Sequence, residues 1–312
     1  MLKFISVMIM SIFLYTGIAN SSLIVLHTGT ELILDTGNVA SPRINNLNEV
    51  VWEKQFGYDS SGIISSVDGL VSSVYRNHWP DINDAGEIIW RFGDGGRGAN
   101  GIESSIQGII YSSSHQDPYY DTPRINNNGE IIASNGYGGT NIWSSTRGYL
   151  PTSGWFARET EVNDLGEVVY SGYYGNTGNI YDIYSTDRGA ITNDSNWQWN
   201  PDINNFGEIV WEQNNEIWSD LRGKIGNGNN PSINDLGEIV WDFKGNIFSS
   251  LRGAITSGQD YDSRPQINNS GAIAFLRYKV TPVPEPTIIY LLCTGFIGIA
   301  GFRRKLRIYS NK

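Results

Sequence analysis

The sequence predicts an all-β protein, and three observations lead to that prediction. A short turn-and-strand motif occurs seven times, beginning at Ile44, Ile82, Ile125, Val162, Ile203, Ile233 and Ile267. A second, glycine-centred motif alternates with it. Together they give a repeat of about 37 residues, the length of one four-stranded blade. We therefore predict a seven-bladed β-propeller of four-stranded blades.

The first motif reads INDLGEIVW in residues 233–241. Asn and Asp favour turns because their side chains bond nearby backbone amides, and Gly accepts a positive φ. We interpret the polar centre as a hairpin loop between two antiparallel strands. Successive copies start 38, 43, 37, 41, 30 and 34 residues apart, which fits insertions in the loops between hairpins.

The second motif reads NIFSSLRGAI in residues 246–255. It is echoed around Gly223, Gly189, Gly148, Gly108 and Gly69, and more weakly around Gly29. Each copy has two short apolar runs around a glycine turn, which predicts a second hairpin in every repeat.

A bulky ring stands at one fixed position in most copies of the first motif. The eighth residue after each opening Ile or Val is, in order, Trp52, Trp90, Ala133, Tyr170, Trp211, Trp241 and Phe275. Aromatic side chains dominate the burial of apolar area, so we expect them to form a packing layer between repeats rather than a ligand site.

The two ends of the chain differ from the repeat body. Residues 1–19 have Lys3, an apolar run and small residues ending at Ala19, as in a signal peptide cut after that residue. Residues 20–280 form the predicted propeller domain. Residues 281–312 contain an apolar run of a length close to one membrane span, which predicts a transmembrane helix.

Charge and motif content limit the possible functions. The stretch between the two end segments keeps 31 of the 32 acidic and 16 of the 22 basic residues, a net charge of −15, which disfavours nucleic-acid binding. The single cysteine, Cys293, permits no intrachain disulfide. No HExxH or GxSxG motif occurs, so the sequence predicts no metal site, no cofactor and no catalytic residue.

The blade layout resembles that of WD-type propellers. The resemblance implies that the strand before each opening Ile or Val lies innermost, and that residues 23–34 complete the last blade beside residues 267–278. A phase in which every blade is sequential stays open. If the inner strands line a channel, the residue before each opening position faces the axis. These candidate binding residues are Arg43, Asp81, Arg124, Glu161, Asp202, Ser232 and Gln266.

The C-terminal segment closely resembles the PEP-CTERM sorting signal. It has Pro284-Glu285-Pro286, then the apolar run, then Arg303-Arg304-Lys305. The resemblance implies export by way of signal peptidase, transient anchoring in the inner membrane of a Gram-negative bacterium, and processing by an exosortase. The protein would then reach the cell surface or medium, in association with exopolysaccharide. The repeats resemble the INDxGxxVW-type tandem repeats of secreted bacterial proteins.

Three functions remain open from the sequence. The first is a non-enzymatic surface or matrix protein whose propeller is an interaction module. The second is a secreted glycan hydrolase or lyase that uses channel carboxylates such as Asp81, Glu161 and Asp202. The third is a purely structural secreted protein without a specific ligand.

Overall fold

The structure is a computed structural model that describes residues 22–280, apart from 59, 74–75, 94–99, 114–119, 136–141, 154–155 and 174–180. Within this part of the chain every regular element is a β-strand, which confirms the all-β prediction. One compact unit ends at Lys279, and a second comprises Val280–Lys312. No helix of the described residues is long and apolar enough to span a membrane.

The predicted processing signals lie outside the described residues. They are Ala19, the Pro284–Pro286 tripeptide, the apolar run that follows it, and the basic cluster Arg303–Lys305.

The strands fall into four classes by their position in a sheet. The first strand of each unit ends at the opening Ile or Val of the first motif. These strands are β3 (Val39–Ile44), β7 (Arg76–Ile82), β11 (Tyr120–Ile125), β15 (Phe156–Val162), β19 (Gln198–Ile203), β23 (Asn229–Ile233) and β27 (Tyr261–Ile267). The second strands are β4 (Val50–Gly57), β8 (Ile88–Gly93), β12 (Ile131–Asn135), β16 (Val168–Tyr173), β20 (Ile209–Gln213), β24 (Ile239–Phe243) and β28 (Ile273–Tyr278).

The second motif supplies the other two classes. The third strands are β5 (Ser60–Ser65), β9 (Asn100–Ser104), β13 (Ile142–Ser144), β17 (Tyr181–Ser185), β21 (Glu216–Ser219), β25 (Asn246–Ser249) and β1 (Ser22–His27). The fourth strands are β6 (Gly69–Ser72), β10 (Gly108–Ser113), β14 (Gly148–Leu150), β18 (Gly189–Ala190), β22 (Gly223–Asn227), β26 (Gly253–Ala254) and β2 (Glu31–Gly37).

Antiparallel pairing joins one strand of each class into a four-stranded sheet. Five such sheets stand alone, and two further units, β3–β6 and β7–β10, are joined into one eight-stranded sheet. The join is a single parallel pair between Ser61 and Arg76. The prediction of four-stranded sheets built from two alternating hairpins is therefore confirmed.

The two ends of the described chain meet in one sheet. Its order is β2-β1-β28-β27, and β1 pairs with β28 from Ser22 opposite Tyr278 to His27 opposite Ile273. The first hairpin of the chain thus completes the last sheet, which is the phase implied by the WD-type layout. The sequential phase is excluded. This pairing covers edges that would otherwise be open to other strands.

The core lies between neighbouring sheets, as the alternation along β1 shows. Ile24 and Leu26 pack with Val39, Val50 and Trp52 of the sheet that follows. Leu23 and Val25, on the opposite face, pack with Val240 and Ile247 of the sheet that precedes. Side chains alternate between the two faces of a strand, so each face of this sheet is covered by a different neighbour.

The residues of the predicted aromatic layer lie within these inter-sheet clusters. All are buried, with exposed fractions between 0% for Phe275 and 8% for Trp241. In the third copy the smaller Ala133 takes the position and is also fully buried. This position therefore contributes to the core, as the sequence predicted.

One asparagine shapes each hairpin loop of the first motif. Asn234 Oδ1 accepts hydrogen bonds from the backbone amides of Leu236 (3.1 Å) and Glu238 (2.9 Å). Gly237 has φ +73° and donates its amide to the Asn234 carbonyl at 3.0 Å. Only glycine adopts this left-handed conformation without a Cβ penalty, which explains its recurrence at this place.

Neighbouring turns are linked by hydrogen bonds that return to the first turn. Asn234 Nδ2 donates to the Asn268 carbonyl at 3.0 Å, and Asn268 Nδ2 donates to the Asn45 carbonyl at 2.8 Å. The latter bond joins residues 223 positions apart in the chain. The last turn of the series is therefore hydrogen-bonded to the first.

A glutamate follows the turn glycine in five of the seven copies, and it joins both motifs. Glu238 Oε1 accepts hydrogen bonds from Ser249 Oγ and, at 2.6 Å, from Arg252 Nε. Arg252 Nη2 also donates to the carbonyl of Gly271 in the next turn, at 3.0 Å. The same arrangement recurs with Glu130, Glu167 and Glu208. These recurrent acids have a structural role.

Candidate functional site

The candidate channel residues stand at the ends of the first strands. We call Arg43, Asp81, Arg124, Glu161, Asp202, Ser232 and Gln266 the axial cluster. Each follows a β-bulge in its strand, as between Ala40 and Arg43 in β3. A bulge adds a residue to one strand and bends it locally, which re-aims the side chains beyond it.

An ion pair crosses the axis within this cluster. Arg43 Nη2 donates to Glu161 Oε1 at 2.7 Å, although the two residues are 118 positions apart. Arg124 Nε donates to the same oxygen at 2.8 Å. Arg43 Nη1 also donates to Gln266 Oε1 at 2.8 Å. Arg43, Arg124, Glu161 and Gln266 are thus linked by hydrogen bonds, although they belong to four different first strands.

The two arginines determine the charge of Glu161. Burial would raise the pKa of its carboxyl, but Arg124 and Arg43 together hold that pKa below the ordinary value. Glu161 is therefore a carboxylate at neutral pH. Its charge is balanced inside the protein rather than held ready for a reacting group.

The two aspartates of the cluster behave differently. Asp81 Oδ2 accepts the amide of Ile125 at 2.9 Å, and Asp202 Oδ2 accepts the amide of Ile233 at 2.8 Å. Burial raises the pKa of Asp81, an effect only partly offset by Arg43 and Arg124. Burial and the nearby Glu161 raise the pKa of Asp202 to about 7. Both aspartates hold the first strand of the next sheet.

Ser232 contacts the next sheet in the same way as the two aspartates. Its Oγ accepts the amide of Ile267 at 3.4 Å, in the position that a carboxylate takes at Asp202. Neither Ser232 nor Asp81 lines the axial cavity described below. Ligand binding by the axial cluster stays a prediction.

A polar cavity of about 260 Å³ lies on one side of the axial cluster. Its floor includes Arg43, Arg124, Glu161, Asp202 and Gln266. Its wall is formed by the residues two places before the axial cluster in each first strand, which we call the mouth residues. They are Ser41, Trp79, Thr122, Glu159, Asn200, Asn230 and Arg264.

The mouth residues were missed by the sequence analysis. All seven have a positive φ, between 37° for Thr122 and 53° for Ser41. Non-glycine residues rarely adopt this conformation, and clusters of such residues mark functional sites. A proline follows the mouth residue in every copy except that of Glu159, where Thr160 stands. This recurrent X-Pro pair is the signal that could have located the wall.

Two carboxylates, Glu159 of the wall and Asp242 outside the cavity lining, fix the backbone of mouth residues. Glu159 Oε2 accepts the amide of Asn200 at 2.8 Å. Asp242 Oδ1 accepts the amide of Arg264 at 3.0 Å. Burial raises the pKa of Glu159 and of Asp242, and these amide bonds offset only part of that rise. The wall is therefore held by hydrogen bonds to one half-buried acid, Glu159, and one buried acid, Asp242.

A second cavity, of about 170 Å³, lies on the other side of the axial cluster and is lined by the turns. The second residue of each turn donates its amide to the side chain of the next turn, as Asn205 does to Asp235 at 2.8 Å. Around the axis these residues alternate as Asn46, Asp84, Asn127, Asp164, Asn205, Asp235 and Asn269. Each aspartate thus has an asparagine on both sides, which keeps its charge satisfied by amide donors. In the described part of the chain no group of His, Cys, Asp and Glu has the arrangement of a metal site.

Comparison with known proteins gave structural matches only. No family model and no curated relative matches the sequence. A TolB-type protein from Agrobacterium tumefaciens is 12% identical, with a TM-score of 0.49 over 84% of this chain and 99% of the other. TolB from Acinetobacter baumannii is 10% identical, with a TM-score of 0.45 over 85% and 66% of the chains. A gluconolactonase from Xanthomonas campestris is 9% identical, with a TM-score of 0.42 over 78% and 96%.

Proposed function

We propose that this chain is an exported, non-enzymatic surface or matrix protein in which a closed seven-bladed β-propeller acts as an interaction module. Exopolysaccharide is the candidate partner. The observation that carries the proposal is the axial cavity, an open polar cup whose floor carboxylates are engaged within the protein. A cavity of this kind can recognise a ligand, and its floor carboxylates Glu161 and Asp202 are held by hydrogen bonds within the protein rather than left free as an acid and a base.

Seven blades are supported by the pairing of β1 with β28 and by the turn contacts. The backbone amide of Asn269 donates a hydrogen bond to Asn46 Oδ1 at 2.8 Å, so the last turn contacts the first. Every other turn is bonded to its successor in the same way. A ring of this kind has one blade for each turn.

The enzyme alternative requires channel carboxylates that are free to act. Glu161 Oε1 instead forms ion pairs with Arg43 Nη2 at 2.7 Å and with Arg124 Nε at 2.8 Å. Asp81 and Asp202 each accept a backbone amide of the next sheet. Glycoside hydrolysis uses one carboxylic acid and one carboxylate on either side of the scissile bond. Because these three acids are engaged in holding the ring, the binding function is favoured.

A binding screen tests the function directly. The purified protein is applied to an array of bacterial and plant glycans, and turnover of bound polysaccharides is followed by the release of reducing ends. The proposal expects saturable binding without turnover. Turnover that one substitution at Glu161 or Asp202 abolishes would establish the enzyme alternative. Absence of binding to every glycan would favour a purely structural protein.

Export and sorting form the second part of the proposal, supported by the composition and order of the terminal segments. The full chain is expressed in a Gram-negative bacterium that has an exosortase, followed by cell fractionation and intact-mass measurement. We expect a mature form that lacks residues 1–19 and ends near the Pro284–Pro286 tripeptide. Replacement of that tripeptide by alanines should leave the longer form in the inner membrane. A full-length cytosolic product in both cases would refute this part.

A further inference from the structure

The axial cavity presents polar groups that the fold leaves unused. The Arg264 side chain is exposed and lines the cavity, and its guanidinium makes no hydrogen bond or ion pair with the described residues. Glu159 accepts two hydrogen bonds through Oε2, from the Asn200 amide and from Ser171 Oγ. Its second oxygen, Oε1, accepts none within the described part of the chain. The Arg264 guanidinium and one carboxyl oxygen of Glu159 thus have no hydrogen-bond partner among the described residues, although both residues line one cavity.

Trp79 is the one aromatic residue among the described residues that line this cavity. The Arg91 guanidinium lies 5.3 Å from the centroid of its ring, and the His78 ring lies at 5.7 Å. These contacts restrict the indole before any ligand arrives, so stacking on it costs little further side-chain entropy. An indole in a polar cup suits a ligand that has one apolar face and a polar edge.

Basic and acidic side chains line the cavity in equal number, although the repeat body is strongly acidic. Three arginines (Arg43, Arg124 and Arg264) face three acids (Glu159, Glu161 and Asp202). Burial also raises the pKa of Glu159, which favours a hydroxyl partner over a cation. Because the pKa values of Glu159 and Asp202 are raised, the lining carries no excess negative charge that would attract a metal ion, and the acidic repeat body disfavours a polyanion.

The size of the cavity limits the ligand further. Pockets of about 300–1,000 Å³ hold drug-sized molecules. The volume of about 260 Å³ lies just below that range, so it suits one small ring rather than an extended chain. Neighbouring hydroxyl groups can accept from a guanidinium and donate to a carboxyl oxygen at the same time, which matches the two unused groups.

We propose that the axial cavity binds a single uncharged sugar residue, with its apolar face on Trp79 and its hydroxyl groups hydrogen-bonded to Arg264 and Glu159. This assignment rests on the proposed interaction function and names its ligand class. A terminal residue of a polysaccharide would enter the cup end-on, because the Arg43–Glu161 pair closes the floor. The remainder of the polysaccharide would stay outside the cavity.

Isothermal titration of the full chain tests this assignment. The probes are the methyl glycosides of glucose, galactose, mannose and N-acetylglucosamine, with alanine as a zwitterion and sulfate as an anion. We expect saturable binding of at least one glycoside, weakened about tenfold or more in Trp79→Ala and in Arg264→Ala, since one lost charge-assisted bond is worth that much. Trp197→Ala is the matched control, because Trp197 is 47% exposed and lies outside the cavity lining.

Arg264→Ala keeps the test valid if Trp79→Ala does not fold, because the exposed guanidinium makes no hydrogen bond or ion pair with the described residues and interacts with Asp242 only through its charge. Equal glycoside binding by the wild type and both variants would overturn the assignment, as would tighter binding of alanine or sulfate. If both variants still bind polysaccharide on the array, the axial cavity is not the sugar site, but the proposed interaction function stands. If both substitutions weaken glycoside binding but the protein binds no polysaccharide, the cavity is supported as a sugar site and the proposed matrix function is refuted.

Discussion

Glu161 is the residue whose loss should most clearly reveal the closure across the axis. Its Oε1 receives Arg43 at 2.7 Å and Arg124 at 2.8 Å, and its side chain is only 17% exposed. Glu161→Gln keeps the shape of the side chain and an acceptor oxygen, but removes the charge. The substitution therefore isolates the electrostatic part of the contact.

The expected cost follows from the neighbouring charges. Breaking a buried ion pair by removing one partner costs about 3–5 kcal/mol. Two features of the structure reduce this value. Asp81 lies 4.0 Å from Arg43 and partly replaces the lost charge, and the repulsion between Glu161 and Asp202 disappears. We therefore expect Glu161→Gln to lower the free energy of unfolding by about 2–3 kcal/mol at pH 7.

Urea denaturation followed by tryptophan fluorescence measures this change. Arg43→Gln, Glu161→Gln and the double variant form a cycle, in which residues in direct contact should show a coupling energy of about 1–3 kcal/mol. Glu216→Gln is the matched control, since Glu216 pairs with Lys224 at an exposed site and its loss should leave stability unchanged. The reasoning is refuted if Glu161→Gln costs no more than the control, or if the two single effects simply add.

Three further predictions concern the turns and the aspartates. Asn234→Ala removes three hydrogen bonds made by one side chain and should cost about 3 kcal/mol in urea denaturation; a cost below about 0.5 kcal/mol would contradict its role in the turn. Gly237→Ala meets no close contact but forces alanine to φ +73°, so thermal unfolding should show a loss of about 1 kcal/mol, and an unchanged midpoint would argue against that conformation. The raised pKa of Asp202 means that the folded state binds its proton more tightly than the unfolded state. Stability from this group is thus present below pH 4 and is lost by about pH 7, by up to roughly 1.4 kcal/mol per pH unit. Asp202→Ser, which copies Ser232, should flatten this window in urea titrations at several pH values, and an unaltered pH profile would show that Asp202 is not the titrating group.

The hairpins were determined by the sequence alone. The Asn and Gly of INDLGEIVW dictate one turn, because a side-chain amide that caps nearby N–H groups and a residue tolerant of positive φ act within four positions. The position of the axial residues also followed from the motif, since each stands immediately before the opening Ile or Val. Burial of Trp241 and its equivalents followed from the same fixed spacing.

Only the tertiary structure decided which of these residues meet. Arg43 and Glu161 are 118 positions apart, and their contact depends on how far the strand ends lie from the axis once the ring has closed. The place of β1 beside β28 likewise decided between two phases that fit the same repeats. The mouth residues lie at bulges, and the proline that follows most of them can be read in the sequence. Their meeting around one cavity could not be read there, because it depends on the arrangement of all the sheets. Turn chemistry acts over a few residues and is readable in the chain, whereas contacts across the axis exist only after all the sheets are in place.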